Sequence, residues 1–168
     1  MDITIKTFTL DDDGTFPNSP LPVILYPQAI EPDANDPAAA FEERFHANGW
    51  GGSWRNGIFT YHHYHAEAHE VLGCARGWVR VMLGGPNGRE VRLEAGDVAL
   101  LPAGTSHRNL EHSPDYLIVG AYPPGQRPDM KYGEPGEYEA AKEVIRRVPL
   151  PETDPVSGRS GGVSHAWT

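Results

Sequence analysis

The segment 57–77 has the sequence GIFTYHHYHAEAHEVLGCARG, which places four histidines within eight residues. In a β-strand, side chains two residues apart lie on the same face. A strand here would therefore carry His63 and His65 on one face together with Phe59 and Tyr61, which makes that face largely apolar and interior. Two buried imidazoles cost free energy unless they are hydrogen-bonded or bound to a metal. The segment is therefore a candidate metal site.

A second segment, residues 96–107, has the sequence GDVALLPAGTSH and ends in a further histidine, His107. The proline and glycine before it indicate a turn that can return the chain toward the first pair. Three neutral imidazoles with one carboxylate form a ligand set that suits Zn, Fe, Ni, Mn or Cu. The sequence therefore predicts one divalent transition metal, without deciding which.

Short apolar runs separated by glycine and proline turns predict an all-β fold for the middle of the chain. The 168 residues include 19 glycines and 16 prolines. The residues 84–88 (GGPNG) are typical of a hairpin turn. The predicted strands are 2–8, 23–26, 57–65, 71–74, 78–83, 90–93, 98–101 and 116–122.

The remaining sequence indicates peripheral elements of one domain, since domains average roughly 150 residues. A helix is predicted from an N-cap at Asp36 to the stop at Asn48, and a second over 137–147. The last twenty residues are expected to form an extended surface arm. We expect a barrel core at about 57–122, with N-terminal strands and a helix in 1–56 and a C-terminal helix and arm in 123–168.

Composition excludes several classes of protein. The 14 Lys and Arg against 23 Asp and Glu give a net charge of −9, so we expect no nucleic-acid partner. No apolar stretch approaches the ~20 residues that span a bilayer, and no signal peptide is recognised at the start. The single cysteine, Cys74, fits a reducing compartment. We therefore expect a cytoplasmic protein with no membrane partner.

The two histidine segments resemble the two cupin motifs. The first motif is matched at each fixed position by Gly57, His63, His65, Glu70 and Gly77. The second is matched by Gly96, Pro102, Gly104 and His107. The asparagine expected four residues after the last histidine is Glu111 here, although Asn109 is nearby.

Further segments resemble the small YjlB-like single-domain cupins over nearly the whole chain. These are residues 36–41, 48–57, 62–65, 69–73, 119–123 and 148–155. The resemblance implies a six- to eight-stranded antiparallel β-barrel, or jelly roll, with two short peripheral helices. It also implies a metal in the barrel mouth held by His63, His65, Glu70 and His107.

The position of the carboxylate ligand has one rival. The first cupin motif allows three or four residues after its second histidine, so both His69 and Glu70 are within reach. The six residues between Glu70 and Gly77 favour Glu70, since they keep the following hairpin in register. His69 then lies farther out or at the rim, where it can orient a ligand or receive a proton from substrate.

Other residues near the motifs carry weaker signals. The candidate catalytic residues are His69 and Tyr61, and Arg80 could also contact a ligand. Cys74 shares a face with Glu70 but is typical of a small buried apolar residue. Alternation along the predicted strand places His62 on its outer face. Trp54 and Trp78 are expected to pack in the barrel.

Two functions fit this sequence. The first is a metalloenzyme that acts on a small molecule in the barrel by dioxygenase-type or isomerase-type chemistry, with the oxygenase favoured. The second is a non-catalytic module that binds a metal or small ligand. Exposed strand edges require cover, and we expect a homodimer to supply it.

Overall fold

The computed structural model describes residues 4–168, so the first residues of the strand predicted over 2–8, including Ile3, lie outside the described part. The strands are β1 Lys6–Phe8, β2 Val23–Tyr26, β3 Gly51–Asn56, β4 Glu70–Arg76, β5 Trp78–Leu83, β6 Arg89–Glu94, β7 Val98–Leu101, β8 His107–His112 and β9 Leu117–Tyr122. The helices are α1 Pro37–Ala47, α2 Tyr138–Arg147 and α3 Gly162–Ala166.

Two antiparallel sheets form the barrel, as the sequence predicted. The six-stranded sheet has the order β1-β2-β7-β4-β9-β3, and the three-stranded sheet has the order β6-β5-β8. Between them lies an apolar core to which both sheets contribute, including Leu72, Val81, Leu101 and Ile118. This core closes the barrel and leaves the ends of β4, β8 and β9 to carry the polar cluster described below.

The outer face of the large sheet is also buried, which explains why β4 and β7 do not alternate between buried and exposed residues. Helix α1 packs Phe41 and Phe45, four residues apart, against this face. Gly73 permits the contact, because a Cβ there would lie 2.4 Å from the Phe41 ring. Asp36 precedes α1 as predicted, but its carboxylate pairs with Arg55 at 2.9 Å instead of capping the helix.

The prediction of a strand over 57–65 is wrong. The strand lies immediately before it, at Gly51–Asn56. The following residues form isolated bridges at His63 and Tyr64, and the carbonyls of Phe59 and His65 accept single backbone hydrogen bonds. Without a continuous ladder, side chains need not alternate between faces. Phe59 and Tyr61, predicted to be interior, are accordingly 52% and 44% exposed.

The C-terminal region also differs from the predicted extended arm. Beyond α2, the chain folds back on its own barrel through a short pairing of Asp154 with Gly158 and the five-residue helix α3. Trp167 is 3% exposed, and its indole nitrogen donates to the carbonyl of Pro22. No helix within residues 4–168 has the length and hydropathy needed to cross a bilayer.

Candidate metal centre

Three buried histidines converge at one end of the barrel. His63 and His107 form a two-way backbone pair, with N···O distances of 3.2 Å and 2.9 Å, which draws their rings to a centroid separation of 4.0 Å. His65 lies two residues farther along the same irregular segment. One ring nitrogen from each of the three lies within 4.8 Å of the other two. The sequence motifs thus meet in space although the predicted strand is absent.

The outer ring nitrogen of each histidine is held by a backbone carbonyl. The carbonyls that face Nδ1 of His63, His65 and His107 belong to Tyr61, Asp129 and Thr105. A carbonyl oxygen can only accept a hydrogen bond, so each Nδ1 carries the hydrogen. In the neutral ring the lone pair is then on Nε2, the tautomer required of a metal ligand.

Glu70, the first residue of β4, supplies a carboxylate whose two oxygens have different surroundings. Its Oε2 accepts a 2.8 Å hydrogen bond from the Tyr122 hydroxyl, which in turn accepts from the Trp54 indole nitrogen at 2.9 Å. Its Oε1 lies 3.5 Å from Nε2 of His65 and 3.3 Å from Nε2 of His107. Among the described residues, this buried oxygen has no hydrogen-bond partner of good geometry. An unpartnered carboxylate oxygen facing imidazole nitrogens fits a divalent cation.

The charges in the cluster are strongly coupled. Burial would lower the pKa of His65, but the charge of Glu70 outweighs it and raises that pKa to about 9. Burial would raise the pKa of Glu70, yet His65 and His107 hold it well below its usual range. His63 differs, since burial and the neighbouring His107 lower its pKa to about 3. Glu70 and His65 therefore favour each other's charged forms, whereas burial favours the neutral form of His63.

A cavity of about 360 Å³ opens above these four side chains. Its walls are mostly apolar and aromatic, formed chiefly by Trp54, Ile58, Phe59, Leu72, Tyr116, Tyr122 and Met130. Tyr61 lies outside this lining, where its ring stacks on Phe59 at 5.0 Å and meets the edge of His63 at 5.7 Å. Tyr61 thus contacts the site through a histidine and through the rim residue Phe59.

His69 lies on the opposite side of the chain from Glu70. Its Nδ1 accepts from the backbone N–H of Ala103 at 2.8 Å, and its Nε2 faces the carbonyl of Pro149 at 3.2 Å. The ring packs against Trp167 at 4.7 Å, and burial lowers its pKa to about 4. Both ring nitrogens are therefore engaged by backbone groups away from the three-histidine cluster.

The remaining sequence candidates lie away from the cavity. Arg80 is on the outer face of β5, where it pairs with Glu90 and with Glu111, the latter at 3.3 Å. Cys74 is fully buried in the inter-sheet core, and burial raises the pKa of its thiol to about 12. His62 is half-buried beside the Phe16 ring at 5.5 Å.

The departure from the second motif has a structural explanation. Glu111 is exposed and forms the ion pair with Arg80, whereas Asn109 is buried and donates from its amide to the Tyr116 hydroxyl at 3.2 Å. That hydroxyl also accepts from the backbone of Ile58, and a Cβ on Gly57 would lie 2.0 Å from it. Asn109 and the first motif glycine therefore fix Tyr116 on the cavity wall.

Several site residues carried no motif signal. Tyr122 and Trp54 hold Glu70. The carbonyl of Asp129 holds His65, although this residue lies in the C-terminal region predicted to be peripheral. The inward parity of Tyr122 with Gly120 and Ile118 along β9 could have identified it, since strand residues two apart share a face. No sequence pattern marks Asp129.

Comparison with known proteins gives one full-length relative. The protein of Bacillus subtilis (strain 168) named uncharacterized protein YjlB is 37% identical over 168 residues, covering 99% of each chain. No protein-family model matches the chain.

Solved structures with similar folds share less of the sequence. An uncharacterized protein with a double-stranded β-helix domain from Klebsiella pneumoniae is 22% identical, covers 48% of this chain and 66% of that chain, and gives a TM-score of 0.39. RmlC from Streptococcus suis in complex with dTDP-D-xylose is 13% identical over 71% and 69% of the two chains, with a TM-score of 0.40. Acireductone dioxygenase from Bacillus anthracis with a cadmium ion is 15% identical over 70% and 76%, with a TM-score of 0.39.

Proposed function

Because the chain belongs to the YjlB family of small cupins, as its two motifs and the further matching segments predicted, we propose that it is a metal-dependent enzyme for a small molecule. The proposed ligands of one divalent transition metal are His63, His65, Glu70 and His107. The observation that carries the proposal is the convergence of three Nδ1-donating imidazoles, two of which, those of His65 and His107, face an unpartnered oxygen of the buried Glu70 carboxylate. Four protein ligands leave one or two open positions on an octahedral metal for substrate or dioxygen.

The titratable groups of the cavity favour dioxygenase-type over isomerase-type chemistry. An isomerase needs a free base to move a proton. Tyr122 already donates its hydroxyl hydrogen to Glu70. Burial and that carboxylate raise the pKa of Tyr122 above its usual value, so its hydroxyl is not a free base. Asp129 accepts backbone hydrogen bonds from Ala66 and Glu67 at Oδ1, and its Oδ2 lies 3.9 Å from the ammonium group of Lys131. A redox-active metal bound here would let dioxygen add both of its atoms to a substrate, which requires no such base.

The chain's own residues would then position the metal and substrate. The Trp54–Tyr122 pair holds one Glu70 oxygen and directs the other toward the histidines. The backbone carbonyl of Tyr61 fixes the tautomer of His63. The mostly apolar walls of the cavity exclude water from the reacting groups.

The direct test is elemental analysis of the full-length protein purified without added metal, followed by oxygen uptake with candidate substrates. We expect about one equivalent of a transition metal, reduced to background in a variant with His63, His65 and His107 replaced by Ala. Equal metal contents in both proteins would overturn the proposed site. A metal-loaded protein with no exchangeable water, measured by water-proton relaxation with Mn²⁺ bound, would instead be a binding module.

The homodimer remains a prediction that the fold makes reasonable. Strands β1 and β3 are the edges of the six-stranded sheet, and edges of this kind are usually covered. Light scattering at micromolar concentration should give twice the chain mass, and a mass near 18.4 kDa would rule the dimer out. The cytoplasmic location likewise remains an expectation from sequence.

A further inference from the structure

Histidine is the only basic residue type in the described lining of the cavity above the proposed metal ligands. Among the described residues that line it, the charged or titratable acids are Glu70 and Asp129, and no lysine or arginine is present. Lys131 approaches the outer oxygen of Asp129 at 3.9 Å but does not line the cavity. Binding of phosphate groups generally uses arginine, lysine or a helix N-terminus. The lining therefore disfavours a phosphorylated or multiply charged ligand.

The walls are largely aromatic, and three of the rings are held by hydrogen bonds. Trp54 donates to Tyr122, and Asn109 donates to Tyr116, so three rings keep fixed positions around the space. Fixed aromatic surfaces favour a flat aromatic ligand through offset or edge-to-face contacts. Phe59 extends this surface to the rim, where half of its side chain is exposed to a ligand entering from solvent.

Apart from the histidine and Glu70 cluster, the cavity is mostly apolar, with Asn56 and Asp129 as the other non-aromatic polar side chains of its described lining. The histidine and Glu70 cluster forms the polar end, while Leu72 and Met130 join the aromatic rings elsewhere. At about 360 Å³ the cavity is near the lower end of small-molecule sites, which are roughly 300–1,000 Å³. A ligand that matches both ends has a compact ring and a few oxygen atoms grouped on one side.

We propose that the ligand is a small aromatic molecule of low charge that bears two adjacent oxygen donors, as in the catechol class. The paired oxygens face the cluster and the ring lies between Phe59, Trp54 and Tyr116. This inference rests on the proposed function, because the oxygens are placed to reach the metal held by the four ligands.

The test compares two probes that share one chelating group. Benzohydroxamic acid and acetohydroxamic acid present the same pair of oxygens, but only the first carries a ring. Calorimetric titration of the zinc-loaded full-length protein should show benzohydroxamic acid binding at least tenfold more tightly, since burying a ring is worth about 1.5–3 kcal/mol. Inorganic phosphate at the same concentrations should not displace it.

Two variants locate the ring. Phe59→Ala should weaken benzohydroxamic acid about twofold to tenfold, the size of one aromatic contact, and leave acetohydroxamic acid unchanged. Leu150→Ala is the control, because Leu150 is similarly exposed at 49% and does not line the cavity. It should alter neither probe.

The outcomes separate the two proposals. Equal affinities for the two probes on protein that holds one zinc, effective competition by phosphate, or identical effects of the two variants would overturn the aromatic ligand and leave the metal site standing. Failure to hold zinc, measured beforehand by elemental analysis, would overturn the proposed function and the ligand with it.

Discussion

Glu70 and Asp154 are both buried carboxylates, 3% and 1% exposed, but their surroundings differ. Asp154 accepts hydrogen bonds at both oxygens. Oδ1 accepts from the backbone of Val156 and Ser157, and Oδ2 accepts from the Tyr26 hydroxyl and the backbone of Val163. Glu70 accepts one bond at Oε2, and its Oε1 faces imidazole nitrogens without a partner.

The contrast separates a structural acid from a candidate ligand. Buried polar atoms are nearly always satisfied, and an exception inside a well-packed region calls for an explanation. Asp154 needs no further partner, because both of its oxygens already accept hydrogen bonds from Tyr26 and from the backbone of the C-terminal turn. Under the proposed function, a bound cation would complete the Glu70 region. Substitutions at the two sites should therefore affect different properties.

The largest effect is expected on stability at Asp154. Asp154→Ala leaves several buried donors without an acceptor, so the free energy of unfolding should fall by about 3–5 kcal/mol. Urea denaturation would measure it, and zinc binding by the folded fraction should be retained. Tyr26→Phe, which removes one of these bonds, should fold and lose about 1–2 kcal/mol. Unchanged stability in both variants would contradict a structural role.

The next largest effect is on zinc affinity, and it distinguishes Glu70 from its neighbour His69. Glu70→Ala should lower zinc affinity by more than about a hundredfold, because losing a ligand should exceed the roughly 10–100-fold cost of losing an outer contact. His69→Ala should change it less than about threefold, since both nitrogens of His69 bond to backbone groups elsewhere. Competition with a chromophoric chelator measures both. If His69→Ala strips the metal and Glu70→Ala retains it, the site contains four histidines.

A smaller effect on zinc affinity is expected at Tyr122, which contacts Glu70 and not the proposed metal. Tyr122→Phe removes the hydrogen bond to Oε2 of Glu70 while keeping the ring, so zinc affinity should fall about tenfold. The chelator competition detects this change, and circular dichroism checks that the fold is retained. An affinity equal to that of the unsubstituted protein would mean that packing alone orients Glu70.

The site was largely predictable where its residues share short segments. The fixed spacing of the first cupin motif indicated His63, His65 and Glu70 as candidate ligands. Tyr122 and Asp129 lie 52 and 64 residues beyond the groups that they hold, so these contacts depend on tertiary packing. The alternation along β9 indicates only that Tyr122 faces inward, and no sequence pattern marks Asp129.

The fold was predictable where apolar residues occur at regular spacing, as in β5 and β7. The missed strand β3 has the sequence GGSWRN, which contains two glycines and no β-branched residue, and such composition disfavours a strand prediction. Long-range packing overrides this preference, because the Trp54 ring occupies the space that Gly120 leaves on β9, where a Cβ would lie 2.2 Å from it. Because residues 57–65 form no continuous strand, the side chains of Phe59 and Tyr61 are exposed and not interior.

The smallest effect concerns Cys74, which lies on the same face of β4 as Glu70 but inside the apolar core. Burial, with a further contribution from the charge of Asp97, raises the pKa of this thiol to about 12. At pH 8 roughly one thiol in 10,000 would then be ionised, and the thiolate is the reactive form. A chromogenic disulfide reagent should leave Cys74 unmodified in the folded protein at pH 8 and modify one thiol per chain in urea. Rapid labelling of the folded protein would show that this part of β4 opens to solvent, and the contrast between an unsatisfied Glu70 and a sealed core beside it would no longer hold.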